Sequence, residues 1–190
     1  MSSPASVEPD DKLRLFCALR VPDGVLDGLV LWQHEHVTAG RVVPRENLHL
    51  TLAFLGWTTA GAVDGIVEEL RAAAAAVESI ELEPVRYRET RSVGMLVFSD
   101  AGEHGARLAD DLHGRLERLG VYRREQRPWL PHLTVVRFRR RPRLQPPVPD
   151  LGPFGPSDAA LYNSLLRSAG AQYVVIDNAT LGTNVALGGN

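Results

Sequence analysis

Two short stretches concentrate the side chains best suited to chemistry. "NLHLTLAFLG" (47–56) holds His49 and Thr51, and "PHLTVVRF" (131–138) holds His132 and Thr134. Both are otherwise almost wholly apolar, and neither histidine nor threonine is a natural core filler. A histidine changes charge near neutral pH, so one imidazole can remove a proton while a second supplies one. Threonine hydroxyls can donate to the non-bridging oxygens of a phosphate and hold the phosphorus in line for displacement. Two of each describe metal-free cleavage or formation of a phosphodiester by general acid–base catalysis. Arg137, near the end of the second stretch, can neutralise negative charge that develops there.

One His-x-Thr alone is most often a half-exposed histidine beside a strand-favouring threonine. Two copies at matching places in two similar halves form a single site if symmetry brings their faces together. Strand alternation puts His49, Thr51 and Ala53 on one face, with Leu48, Leu50, Leu52 and Phe54 on the other. His132, Thr134 and Val136 likewise share a face, opposite Leu133 and Val135. The same alternation places Arg137 on the Leu133 face, so a bulge or the strand's end must redirect it.

Other chemistries find little support. His34 and His36 lie two apart on a helix and diverge by about 200°. His104 and His113 fall among charged residues of another helix and are expected at the surface. Neither motif histidine has carboxylates at zinc-site spacing, so no metal and no cofactor is expected. There is no glycine-rich phosphate loop and no G-x-S-x-G elbow. Cys17, inside an apolar strand, is expected in the core and, as the one cysteine, forms no intrachain disulfide.

The elements that must position the motifs can be read along the chain. Residues 1–11 are expected to be a disordered lead-in, and 12–190 a single bilobal domain. Strands are predicted over 13–21, 47–56 (stopped by Gly56), 80–91, 94–100, 132–138, 158–166 and 171–181. Helices are predicted over 25–37, 62–79 and 103–120, the last closed by Gly120. Strands 80–91 and 94–100 meet in a hairpin around Ser92, Val93 and Gly94. The fold class is α+β: two pseudo-symmetric halves with antiparallel sheets, helices packed outside and a cleft between the lobes.

With 190 residues, 44% apolar and 23% charged, the chain has the balance of a soluble globular protein. A net charge of −2 provides no global attraction to nucleic acid or membrane. The polar, acidic start and the lack of any long apolar run lead us to expect a cytoplasmic monomer that meets no membrane. Arginines nonetheless cluster around the second motif. Arg123, Arg124 and Arg127 precede it, and Arg139, Arg140, Arg141 and Arg143 follow it, as a solvated loop or as a local wall for an RNA backbone.

The paired motifs resemble those of the 2H phosphoesterases, and more closely their RNA 2′,3′-cyclic phosphodiesterase branch, historically called 2′-5′ RNA ligases. "RLFCALRVP" (14–22) is similar to that branch's opening strand, and the arginine five residues after the second histidine matches too. "LYNSLLRSAGAQYVVI" (161–176) resembles its closing strand pair, with Ser164, Gly170 and Tyr173 in place. Before Pro44, where the family often carries an aromatic residue, this chain has Val43. The resemblance implies that His132 acts as base on water, and that His49 acts as acid on the departing 3′ oxygen, leaving a 2′-phosphate. It implies that Thr51, Thr134 and Arg137 hold the phosphate and that Phe16 lines a nucleoside pocket. The partners expected are RNA ends or small cyclic nucleotides, such as a cyclic phosphate of ADP-ribose or a 2′-5′ oligoadenylate. A non-catalytic RNA-binding module remains the third reading, although binding alone does not need titratable pairs.

Overall fold

The computed structural model describes residues 8–167 and 170–182. Eight strands, β1 (Lys12–Arg20), β2 (Arg41–Val42), β3 (His49–Thr59), β4 (Leu82–Glu89), β5 (Val93–Asp100), β6 (His132–Arg137), β7 (Ala159–Arg167) and β8 (Gly170–Ala179), alternate with three helices. These are α1 (Asp23–His36), α2 (Val63–Ala76) and α3 (His104–Arg118). The strands run antiparallel in the order β4-β5-β6-β3-β1-β7-β8, with β2 on the flank of β6. The predicted element order is therefore present, with β2 as an addition too short to show in any periodicity.

All three helices pack on one face of this sheet. In β1 the alternation is plain: Leu15, Cys17 and Leu19 point into the helix-covered core, each fully buried. Helix α3 meets the same core through Leu108, Leu112 and Leu116, spaced one turn apart. Burying each of these leucines contributes about 1.5–3 kcal/mol. Gly120, with φ of +77°, ends that helix as expected. The opposite face of β1 gives Phe16 and Ala18 to a small separate cluster with Ala160 and Tyr162.

The two halves, β4-β5-β6 and β3-β1-β7-β8, meet along the two motif strands. Only Leu50 of β3 and Leu133 of β6 pair there. The seam is also bridged by the Trp129 indole, whose Nε1–H donates to the Thr51 carbonyl at 2.8 Å. Extending the antiparallel register by one residue sets His49 opposite Thr134 and Thr51 opposite His132.

Several local expectations change. Gly56, at φ of +73°, does not stop β3, which continues to Thr59. Residues 8–11, assigned to the lead-in, form a turn in which Asp11 and Pro9 accept backbone hydrogen bonds from Ala60 and Gly61. Residues 1–7 of that lead-in lie outside the described residues. Strict alternation fails in both motif strands. Leu52 and Ala53 both point into the core opposite Cys17, and Val135 and Val136 are both fully buried. Each pair marks a β-bulge one residue past the motif threonine, where the register against the neighbouring strand slips.

Candidate active site

The bulges decide what faces the cleft. Each inserts one residue and inverts the alternation after it, so Phe54 and Arg137 turn to the side already holding the histidines and threonines. Both lie five residues beyond a motif histidine, one in each half. Arg137 is thus redirected to the cleft by a bulge, while Phe54, expected in the core, lines the cleft. Ala53 and Val136, expected beside the motif residues, are core instead.

Each bulge is held from the helix side. The carbonyl of Leu52, in β3, accepts a hydrogen bond at 2.8 Å from Nε2–H of His113 on α3. The carbonyl of Val135, in β6, accepts one at 2.8 Å from Nε2–H of Gln33 on α1, which also donates to the Val43 carbonyl at 3.0 Å. Gln33 and His113 are both buried. His113 is therefore not the surface residue expected, because its imidazole satisfies a carbonyl that the bulge removes from the ladder. The halves echo one another here: the helix before each motif strand clasps the bulge of the other motif strand.

The cleft has a volume of about 630 Å³. Its lining includes His49, Thr51, His132, Thr134, Arg137 and Phe16, the residues that the paired motifs and the family resemblance pointed to, but none of the arginines that flank the second motif. It also includes Arg14, Arg41 and Phe54, and among the described residues no carboxylate. Arg14 could have been found, since simple alternation places it on the Phe16 face of β1. Arg41 sits on the short strand that periodicity does not reveal. The tip of β8 closes one side: Asn47 Nδ2–H donates to the Ala171 carbonyl at 3.0 Å, and Gly170 abuts Arg41. A Cβ at Gly170 would stand 2.8 Å from the Arg41 guanidinium, at a φ of +132° that side chains rarely adopt.

The two imidazoles are oriented alike. Nδ1–H of His49 donates to the Asn47 carbonyl, and Nδ1–H of His132 to the Leu130 carbonyl, both at 2.8 Å. A carbonyl only accepts, so each neutral ring keeps its lone pair on Nε2. The rings of Phe16, Tyr173 and Tyr162 stand 4.9, 5.3 and 6.0 Å from His49. Burial among them pushes the His49 pKa down to about 4, with Arg137 and His132 adding to the effect against the opposing Asn47 carbonyl. Phe16 itself is only 3% exposed, leaving little ring surface for a ligand. It forms the dry floor beneath His49.

The remaining candidates sort by their partners. Cys17 is fully buried, and burial pushes its thiol up to about 12, which disfavours the thiolate. Arg124 is engaged by Asp110 and Glu117, and Arg141 by Glu89 at 3.0 Å. The Glu89 carboxylate is 2% exposed and also accepts from the backbone N–H groups of Arg143 and Leu144. The loop after β6 is thus pinned by one buried acid. Among the described residues, no three His, Cys, Asp or Glu side chains gather where they could hold an ion. No described helix is long and apolar enough to cross a membrane.

Comparison with known proteins adds to this geometry. Residues 29–160 match the model of the 2′-5′ RNA ligase superfamily. An RNA 2′,3′-cyclic phosphodiesterase of Archaeoglobus fulgidus is 30% identical over 143 residues, 73% of this chain and 78% of the relative. A second protein of that name, from Methanocaldococcus jannaschii, is 24% identical over 182 residues, covering 86% of this chain and 98% of its own. The apo crystal structure of E. coli LigT superposes with a TM-score of 0.78 at 25% identity, covering 91% of this chain and 99% of LigT.

Proposed function

The chain belongs to the 2′-5′ RNA ligase superfamily, and from that premise we propose that it hydrolyses RNA 2′,3′-cyclic phosphate ends to 2′-phosphates. One observation carries the reading. Two imidazoles with Nδ1 tied to carbonyls and Nε2 left free share a cleft with two threonines and three arginines.

In the reaction, Nε2 of His132 takes a proton from water as its oxygen attacks phosphorus. Nε2–H of His49 gives a proton to the 3′ oxygen as the P–O3′ bond breaks. Thr51, Thr134 and Arg137 hold the non-bridging oxygens and stabilise the charge that accumulates on them. A lowered His49 pKa is compatible with an acid role because the substrate supplies the missing charge. A phosphodiester monoanion between the rings offsets Arg137 and favours the imidazolium.

Joining is the same displacement with a 5′-hydroxyl in place of water: its oxygen attacks phosphorus, the P–O3′ bond breaks, and the same two histidines keep their roles as base and acid. It needs no ATP: Lys12, the only lysine, is exposed at the start of β1 and offers no site for adenylation. A cleft of about 630 Å³ suits one nucleotide, which supports a second reading in which a small cyclic nucleotide is the substrate. Competition by long RNA separates the two.

The test uses a short RNA with a 2′,3′-cyclic phosphate end in excess EDTA, its product compared with synthetic 2′- and 3′-phosphate standards. We expect the 2′-phosphate alone. A 3′-phosphate product would reverse the leaving group, and no turnover would remove the reading.

A further inference from the structure

The cross-strand rows that hold the second motif continue outward from it. Val97 and Met95 of β5 stand opposite His132 and Thr134, and Arg86 and Arg88 of β4 stand opposite Val97 and Met95. Residues opposed across antiparallel strands share a face, so both rows lie on the cleft side of the sheet. Met95 and Val97 are buried, yet belong to neither hydrophobic cluster. Arg86 and Arg88 are exposed on the edge strand, about 10 Å beyond the motif strand and about 7 Å from one another. Arginine stems lie along apolar neighbours of this kind and leave the guanidinium in water. Among the described residues no acid pairs with either, in contrast to Arg124 and Arg141. The matching places on the outer strand of the other half are uncharged: Tyr173 and Val175 of β8, opposite Ser164 and Tyr162. A cationic lane therefore runs from His132 over an apolar floor to one edge of the sheet and not to the other.

Displacement at phosphorus runs in line, so the attacking oxygen enters on the side opposite the departing one. With His132 as base, it enters from the β4-β5-β6 half, where the lane begins. We propose that Arg86 and Arg88 bind backbone phosphates of an RNA strand whose 5′-hydroxyl stands at His132, as an acceptor site for joining. This rests on the reading of His132 as base and of the cleft as the holder of the cyclic end. In the step, Nε2 of His132 takes the 5′-hydroxyl proton, the O5′–P bond forms, the P–O3′ bond breaks, and Nε2–H of His49 protonates O3′. The product is a 2′-5′ phosphodiester, and no further reactant enters. Phosphate contacts carry no sequence information, so the site accepts strands of any sequence.

The experiment uses a mononucleotide 2′,3′-cyclic phosphate as donor, which has no chain to reach the lane, with 5′-hydroxyl RNAs of increasing length as acceptors. The ratio of joined to hydrolysed product should rise with acceptor length in the wild type and stay flat in Arg86→Gln/Arg88→Gln. Hydrolysis of the donor alone should be equal in both, since the substituted side chains are exposed. A ratio independent of length in the wild type, or a length effect that survives in the variant, overturns the acceptor site. So does a variant that loses hydrolysis of a long cyclic-phosphate RNA relative to the mononucleotide, which would put the donor's own chain on the lane.

A second readout does not depend on turnover. The fluorescence anisotropy of a 5′-hydroxyl hexanucleotide labelled at its 3′ end gives its affinity across a range of salt concentrations. Loss of two phosphate contacts should make the slope of log K against log salt shallower by about 1.4 in the double variant. Equal slopes in wild type and variant would remove the lane and keep hydrolysis. Slopes that differ as expected, in a protein that hydrolyses no cyclic phosphate, would keep the lane and remove the hydrolytic reading.

Discussion

His49 rests in the cleft as a neutral imidazole, and that has consequences for stability as well as rate. Its pKa is pushed down from 6.5 to about 4, chiefly by burial. Between those values the unfolded chain binds a proton that the folded chain refuses. Stability is therefore lost as pH falls from about 6.5 to about 4, by on the order of 3 kcal/mol if nothing else compensates. His49→Gln should lose less stability than the wild type between pH 7 and pH 4.5 in denaturant titrations; equal losses would mean that His49 is not held neutral. The acid role needs its own test, since a bell-shaped rate profile is the same whichever histidine holds the proton. With sulfur at the 3′ bridging position the leaving group departs without a proton. His49→Ala should then recover most of its deficit, while His132→Ala should not. The motif histidines and threonines were legible in the sequence because a polar pair two apart in a greasy strand costs stability unless its face opens onto a cleft.

At the scale of elements, the cleft depends on two bulges that no local pattern announces. The carbonyls of the two bulges, Leu52 and Val135, meet side-chain partners on the helix face. Those partners, His113 and Gln33, are 61 and 102 residues away in the chain. Alternation could therefore say that Arg137 needed redirecting, but not that Phe54 would be redirected as well. Gln33→Leu leaves the Val43 carbonyl without its side-chain donor and releases one hold on the β6 bulge. We expect about 1–3 kcal/mol of lost stability, the usual cost of a buried group left unpaired. We also expect KM to rise toward that of Arg137→Ala, with little further rise in the Gln33→Leu/Arg137→Ala double variant. Lost stability with KM unchanged would show that the bulge holds itself.

Across the whole molecule, the order of strands and helices was legible from periodicity and turn residues, and so was the α+β class. The joining of both halves into one sheet was not, because a single pair, Leu50 and Leu133, makes the connection. The arginine-rich stretches were legible as charge but not as structure: Arg124 and Arg141 are spent on Asp110, Glu117 and the buried Glu89. What the fold achieves is to carry one histidine from each half to a common cleft, on two strands that pair at Leu50 and Leu133. The measurement that tests this most directly is turnover of a 2′,3′-cyclic phosphate RNA end in excess EDTA by wild type, His49→Ala, His132→Ala and the double variant. Each single variant should lose about 10²-fold or more, and the double variant should lose far less than the product of the two, because the histidines act as a unit. Abolition of wild-type activity by EDTA, or single-variant losses that multiply in full, would contradict the account.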